Sequence, residues 1–209
     1  MTEHPTKQLL IDTAERLMAE QGVEHVSLRQ ITLAAGQRNT AALHYHFGSR
    51  QGLIEAIFAA RVTPINERRL RMLEEIERTG RTGELRAVVA ARVWPLAERL
   101  LESDGEAYYV RFLARANLCP QIDVARLLHG GLDEGLIRTS HLIQQILPAI
   151  PRTRLNQRIA LSGSLMVYAL AERQTGMRRP RPRGWRSEMS RYVDNLIDLI
   201  AGGLSAPPA

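Results

Sequence analysis

Side chains that can hydrogen-bond to DNA are concentrated between residues 27 and 50 of this chain. In a DNA groove, guanidinium and amide groups read guanine and adenine, methyl groups contact thymine, and an imidazole can bond to a purine N7. The candidates for base contacts are therefore Gln37, Arg38, Asn39, Thr40, Ala41 and His44. Phosphate contacts set the register of a protein on a duplex without reading its sequence. The candidates for these are Ser27, Tyr45, His46 and Arg50, with Arg29 as a further basic residue of the segment.

The distribution of charge agrees with this chemistry. The chain has a net charge of +6, and its 28 basic residues are arginines except for Lys7. Residues 25–54 contain no Asp or Glu, although Arg29, Arg38 and Arg50 lie among them. Because duplex DNA carries one negative charge about every 1.7 Å along its axis, a segment that approaches it needs such a gap in acidic residues. A bias toward arginine set by genomic base composition is the alternative explanation for the overall charge.

Two short predicted helices joined by a tight turn would position these side chains. Ser27 and Gln30 have the spacing of a capping box, which predicts that a helix over Ser27–Ala35 begins there. A polar turn over Gly36–Asn39 and a second helix over Thr40–Phe47 follow. This arrangement is typical of a helix-turn-helix, whose second helix enters the major groove.

The residues on either side of this helix-turn-helix are also predicted to be helical and to complete a small N-terminal domain, here called the head. A first helix is predicted over Thr6–Gln21, because apolar residues recur on one face and Gly22 follows as a stop signal. Ser49 is the predicted N-cap of a longer helix, which Pro64 should kink or restart. We expect residues 1–52 to form a helix-turn-helix DNA-binding domain.

Residues 53–209 are predicted to form a larger helical body, which makes the fold class all-α. Helices are expected at about 84–102, 105–117, 152–175 and 185–202, with one or two more between 120 and 147. Pro95 should bend the first of these. The run Arg178–Arg183 alternates arginine with proline, so it is predicted to be a solvated loop rather than helix.

Residues from about 9 to 61 also resemble the N-terminal DNA-binding domain of TetR-family transcriptional regulators. The matching stretches are IDTAERLMAEQG at 11–22, VSLRQI at 26–31, AAG at 34–36 and LHYHFGSRQGL at 43–53. The turn from Gly36 to Thr40 is one residue longer than the common family pattern. Which of Gln37, Arg38 and Asn39 contacts a base therefore stays open.

The resemblance implies a homodimer that binds a palindromic double-stranded DNA operator, with one reading helix of each subunit in the major groove. It also implies that the two C-terminal helices form the dimer interface and that residues 53–209 hold a pocket for a small-molecule effector. Effector binding would change the spacing of the two heads and release the DNA. We therefore expect a repressor rather than an activator. The polar start of the sequence and the lack of a long apolar run lead us to expect a cytoplasmic protein, and no cofactor is expected.

The predicted C-terminal helices have features that suit a dimer interface. Small residues at Ser162, Gly163, Ser164 and Ala169 allow close helix approach, and the last helix has an apolar stripe from Met189 to Ile200. Packing of both helices within one subunit is the alternative.

Aromatic and soft side chains that can line an effector pocket occur at six positions of the sequence. They are Trp94, Tyr108, Tyr109, Phe112, Met166 and Tyr168. Each of them can instead fill the core.

Several classes of protein are not indicated. The sequence has no Glu-x-x-His motif, no pair of histidines at the spacing of a helical zinc site, no nucleophile elbow and no phosphate loop. We therefore expect neither an enzyme nor a metal site. Cys119 suggests an inert thiol more than a redox sensor. The sequence contains no run of eighteen apolar residues, so no membrane-spanning helix is predicted.

Two other classes of function stay open at this stage. A helical adaptor whose head binds protein is one, and a small-molecule-binding or catalytic helical bundle is the other. Affinity for DNA that falls steeply with salt would distinguish a DNA-binding protein from both.

Overall fold

The computed structural model describes residues 3–102, 108–128, 132–176 and 181–207. Every regular element within these ranges is an α-helix, so the predicted all-α class is confirmed. In chain order the helices are α1 (Glu3–Gln21), α2 (Leu28–Ala34), α3 (Ala41–Phe47), α4 (Arg50–Arg78), α5 (Leu85–Glu102), α6 (Tyr109–Leu118), α7 (Val124–Leu128), α8 (Glu134–Ile146), α9 (Arg152–Gly176) and α10 (Trp185–Ser205). Arg178, Arg179 and Pro180, which belong to the predicted arginine–proline loop, lie outside the described residues.

The chain divides into two compact units, here called the head and the body. The described part of the head is residues 3–63 and 108–128, and that of the body is residues 64–102, 132–176 and 181–207. This division by contacts differs from the predicted boundary between residues 52 and 53, which falls inside α4. The functional division at that boundary stays a prediction.

The head core includes an aromatic cluster that draws α6 against α4. The Phe58 ring centroid lies 5.5 Å from that of Phe112 and 6.2 Å from that of Tyr109. Phe58 and Phe112 are fully buried. Burial of a large aromatic side chain contributes about 1.5–3 kcal/mol, which is why a segment distant in sequence belongs to the head.

An ion-pair cluster joins α1 to α4 within the head. Arg61 donates hydrogen bonds to Asp12 and to Glu15, and Glu15 is buried. Burial disfavours the charge of the Arg61 guanidinium, but the charges and hydrogen bonds of Glu15 and Asp12 outweigh this effect, so the pKa of Arg61 is raised.

Two helices continue through an internal proline. The helix does not restart at Pro64, since α4 continues through it to Arg78, and Pro95 lies inside α5. A kink at Pro64 and a bend at Pro95 stay predictions. Val62 and Ile65, on either side of Pro64, are both buried. Apolar burial along the helix supplies the stability that the missing backbone hydrogen bond removes, because helices in proteins depend more on packing than on propensity.

In the body, α9 and α10 form an antiparallel pair. Near one end, the guanidinium of Arg158 donates to the carbonyl of Leu204 at 2.9 Å. At the other end Arg173 pairs with Glu188, and the Tyr192 hydroxyl donates to a carbonyl of α9 at 3.0 Å. The predicted stripe of α10 is buried at Met189, Val193, Leu196, Ile197 and Ile200.

Among the described residues, none of the helices is both long enough and apolar enough to span a bilayer.

Candidate nucleic-acid interface

The capping box predicted at the start of α2 is present. The backbone N–H of Gln30 donates to Ser27 Oγ at 3.2 Å, and the Ser27 N–H donates to Gln30 Oε1 at 2.7 Å. These bonds satisfy donors that a helix N-terminus leaves without intrahelical partners. Ser27 is exposed, as a phosphate contact requires, and Arg29 is accessible on the first turn of the same helix.

The turn between α2 and α3 uses a left-handed glycine and an asparagine cap. Gly36 has φ +70°, a conformation that favours glycine. Asn39 Oδ1 accepts a hydrogen bond from the Ala41 N–H at 3.0 Å, so this oxygen holds the start of α3, and the amide NH₂ of Asn39 stays available for a base. The helix begins at Ala41 with Thr40 as its N-cap, close to the predicted start at about Thr40.

Helix α3 buries one face and presents the other. Leu43 is fully buried, and Phe47 is half-buried. The Tyr45 side chain is 74% exposed, and Ala41 and His44 are exposed as well. Gln37, Thr40 and His46 are half-buried, whereas Arg38 and Asn39 are exposed. The predicted contact residues around α3 therefore lie on an accessible surface.

The imidazole of His44 is oriented by the end of its own helix. His44 Nδ1 lies 3.2 Å from the carbonyl oxygen of Gly48. A carbonyl can only accept, so Nδ1 carries the proton in this contact. Nε2 of the neutral ring is then an acceptor, which suits an exocyclic amino group of adenine or cytosine in the major groove. This contact thus favours the Nδ1–H tautomer of His44.

Arg29 and Arg38 are the accessible cations of this surface. Neither makes a hydrogen bond or an ion pair with another residue in the part of the chain that the structure describes. Their guanidinium groups are available for phosphate oxygens or for a guanine edge. Since residues 25–54 contain no acidic side chain, no carboxylate of this segment competes for them.

Arg50 has a different environment from the one expected. The sequence predicts a phosphate contact, but its half-buried guanidinium donates to the backbone carbonyls of Val23 and Val26. The side chain joins the start of α4 to the loop before α2. Its position in the sequence indicates a cation that contacts phosphate, whereas in the tertiary structure two of its donors bond to backbone carbonyls of the protein.

The connection between α3 and α4 is unusually tight. Ser49 Oγ accepts from the Gly52 N–H at 3.0 Å, so Ser49 caps α4 as predicted. A Cβ built on Gly52 would lie 2.1 Å from the carbonyl oxygen of Phe47. Only glycine fits there, and this close approach determines where α3 lies relative to α4.

The six residues predicted to line an effector pocket are not gathered in one unit. Tyr108, Tyr109 and Phe112 belong to the head, where Tyr109 and Phe112 pack with Phe58. Trp94, Met166 and Tyr168 belong to the body, where Met166 is buried and the other two are half-buried. The assignment of these residues to an effector pocket stays a prediction.

Two leucines of the C-terminal helix pair, absent from the residues predicted for a dimer interface, are exposed. Leu161 in α9 is 69% exposed and Leu199 in α10 is 60% exposed, and Leu165, one turn after Leu161, is 41% exposed. By contrast, Leu155, Ile159 and Met166 of α9 are buried within the subunit. The spacing of Leu161 and Leu165 at i and i+4, on a face other than the buried one, was the available signal.

No group of three or more His, Cys, Asp or Glu side chains able to hold a metal occurs within the described ranges. Cys119 is buried, and its thiol lies 3.0 Å from Gln121 Oε1.

Two family models match the chain. A family model described as bacterial regulatory proteins, tetR family, matches residues 10–57. A second, described as Tetracyclin repressor-like, C-terminal domain, matches residues 90–203. None of the curated proteins matches the chain. A crystal structure from Mesorhizobium loti, assigned to the TetR family of transcriptional regulators, is 14% identical over 96% of this chain and 97% of that chain, with a TM-score of 0.47.

Proposed function

Because this chain belongs to the TetR family of bacterial regulatory proteins, we propose that it is an effector-responsive homodimeric repressor of transcription. Family membership makes it a DNA-binding transcriptional regulator rather than an enzyme. The proposal adds the palindromic operator, the dimer, the effector and the sign of regulation. Since its target is chromosomal DNA, we also propose that it works in the cytoplasm.

The observation that carries the proposal is the accessible, acid-free surface of α2 and α3. It combines two cations without partners among the described residues, Arg29 and Arg38, with the exposed side chains of His44 and Tyr45 on α3. Cations supply affinity for phosphate, and donors and acceptors on a short helix supply base reading. We propose that α3 enters the major groove and that the turn before it contacts the adjoining bases.

The dimer is supported by the outer face of α9 and α10. Leu161, Leu165 and Leu199 expose apolar surface on a helix pair whose opposite face is already buried within the subunit. Exposed apolar surface of this kind marks interaction sites. Pairing of α9 and α10 with their copies in a second subunit would cover it and would supply two heads related by two-fold symmetry, as a palindromic operator requires.

The proposed mechanism is steric and depends on a shift between two states. A bound dimer covers promoter DNA, and an effector that binds better to the state unable to span both half-sites releases it. The release is limited by the difference between the effector's affinities for the two states.

A footprint of the purified protein on the DNA flanking its own gene tests the proposal. We expect a protected palindrome whose half-sites lie about 34–36 Å apart, or a multiple of that spacing. Light scattering of the free and bound protein should give two chains per operator. Absence of protection at low salt, or protection by single chains, would contradict the proposal.

A further inference from the structure

The body contains a buried arginine at the centre of an apolar helix face. Arg92 of α5 is 8% exposed. Val88, Val89 and Leu96, three or four residues away on the same side of the helix, are 0%, 0% and 3% exposed. A charged group in such surroundings is costly unless it meets an opposite charge. Packing alone therefore does not explain why a charged residue occupies position 92.

All hydrogen bonds from Arg92 to the described residues of α8 are donated by a single nitrogen. NH1 donates to Thr139 Oγ1 at 3.0 Å, to Ser140 Oγ at 3.3 Å and to the Leu136 carbonyl at 3.3 Å. All three acceptors are uncharged. Nε is buried and has no hydrogen-bond partner among the residues that the structure describes. The contact with α8 therefore provides hydrogen-bond partners for NH1. It provides none for the edge of the guanidinium formed by Nε and NH2.

The charge of Arg92 is not balanced within the described part of the body. Burial lowers the pKa of Arg92 to about 10, with no contribution from an acidic neighbour. The side chain therefore stays protonated at neutral pH, and no carboxylate of the described residues pairs with it. A second buried arginine, Arg69, donates to the backbone carbonyl of Arg92 at 3.4 Å and places no acceptor next to its guanidinium.

A glycine of α9 lies next to this edge of the guanidinium. A Cβ built on Gly163 would lie 4.0 Å from Arg92 NH2, which is van der Waals contact. Gly163 is half-buried and projects no side chain toward the guanidinium. The edge of Arg92 that contains the unpaired Nε therefore lies beside a position of α9 that carries no side chain.

We propose that the Nε–NH2 edge of Arg92, opposite Gly163, binds the carboxylate group of a small organic acid. This inference rests on the proposed effector response and names the chemical class of the effector.

A carboxylate fits this site better than other anions for three reasons. The Nε–H and NH2 donors are parallel, so they match the two oxygens of a carboxylate. A single negative charge neutralises one guanidinium, whereas a doubly charged phosphate would bring excess charge into a buried region. The apolar side chains that flank Arg92 on α5 suit the hydrocarbon part of an organic acid.

The decisive variant supplies the missing anion from within the protein. In Gly163→Asp the new carboxylate would reach Arg92 NH2, because the Cβ starts 4.0 Å from it. We expect this variant to melt about 4 °C or more above its uncharged counterpart Gly163→Asn, since a buried unpaired charge becomes paired. The same two substitutions at Gly203, an exposed glycine of helix α10 whose added Cβ would meet no atom within 4 Å, form the control and should show no such gain.

The second measurement uses benzoate and octanoate as probes, each compared with its primary amide at equal ionic strength. We expect the acids to raise the melting temperature of the unmodified protein above that in the amides. Gly163→Asp should lose this difference, because its own carboxylate occupies the site. Equal stability of Gly163→Asp and Gly163→Asn would overturn the proposal, and so would equal melting temperatures in acids and amides.

Neither measurement involves DNA, so its failure is distinguishable from failure of the proposed function. A protein that protects its operator but shows neither effect is a DNA-binding repressor without this anion site, which overturns the inference alone. A protein that shows both effects, but whose operator complex is unchanged by the acids, has the anion site without the proposed release mechanism.

Discussion

The guanidinium of Arg50 donates a hydrogen bond to the backbone carbonyl of Val26, the residue immediately before the N-cap of α2. A second bond to the carbonyl of Val23 holds the same loop. The first turn of α4 is thereby joined to the segment that delivers α2, the supporting helix of the proposed DNA-binding surface. We propose that Arg50 is a positioning residue in the head.

Substitution of Arg50 by alanine should therefore act through stability. Loss of two hydrogen bonds from a charged donor should lower the free energy of unfolding by about 2–4 kcal/mol. Affinity should fall equally for all DNA sequences, and the dependence of log affinity on log salt should keep its slope. Urea unfolding and fluorescence anisotropy at several salt concentrations measure both. A shallower slope with unchanged stability would instead show the phosphate contact expected from the sequence.

Arg29→Gln should show the opposite behaviour. This accessible side chain makes no bond to other described residues, so stability should stay within about 0.5 kcal/mol. The salt slope should become shallower by about one for each subunit of the bound dimer, because one phosphate contact is lost per subunit. Arg71→Gln, an exposed arginine of α4 in the body, is the matched control. An equal change in slope for both variants would contradict the assignment.

His44→Ala should alter base preference more than overall affinity. Nε2 is the ring atom left for a base once Nδ1 bonds to the Gly48 carbonyl. Its loss should relax discrimination at one position of each half-site by about 1–3 kcal/mol. Competition among operators that differ at single positions measures this effect. His25→Ala removes another exposed histidine of the acid-free segment and should leave the preference unchanged. Loss of affinity that is the same for every operator would argue against base reading by His44.

Leu161→Glu should convert the dimer to single chains. Leu161 is 69% exposed on α9, and a charge there would be buried without a partner in the proposed interface. Light scattering should show the mass of one chain, and operator affinity should fall steeply because the two heads are no longer joined. Leu118→Glu, at a residue of α6 that is 70% exposed, should remain dimeric. A dimeric Leu161→Glu variant would place the interface elsewhere.

Much of the head could be predicted from local pattern. The capping box of Ser27 and Gln30, the burial of Leu43 and the cap supplied by Ser49 depend on neighbours within a few residues. Such contacts are determined by helix geometry, which places residues three or four apart side by side. The helical class follows from the same periodicity, and the family resemblance rests on these local motifs.

The tertiary structure alone decided the roles that depend on distant partners. Arg50 bonds to carbonyls 24 and 27 residues away, and Phe112 packs against Phe58 and so places α6 in the head. Arg92 looks in the sequence like any other arginine, yet α8 and α9 enclose it. Periodicity determines which residues share a face of a helix. It does not determine what covers that face, because this depends on contacts between segments far apart in the chain.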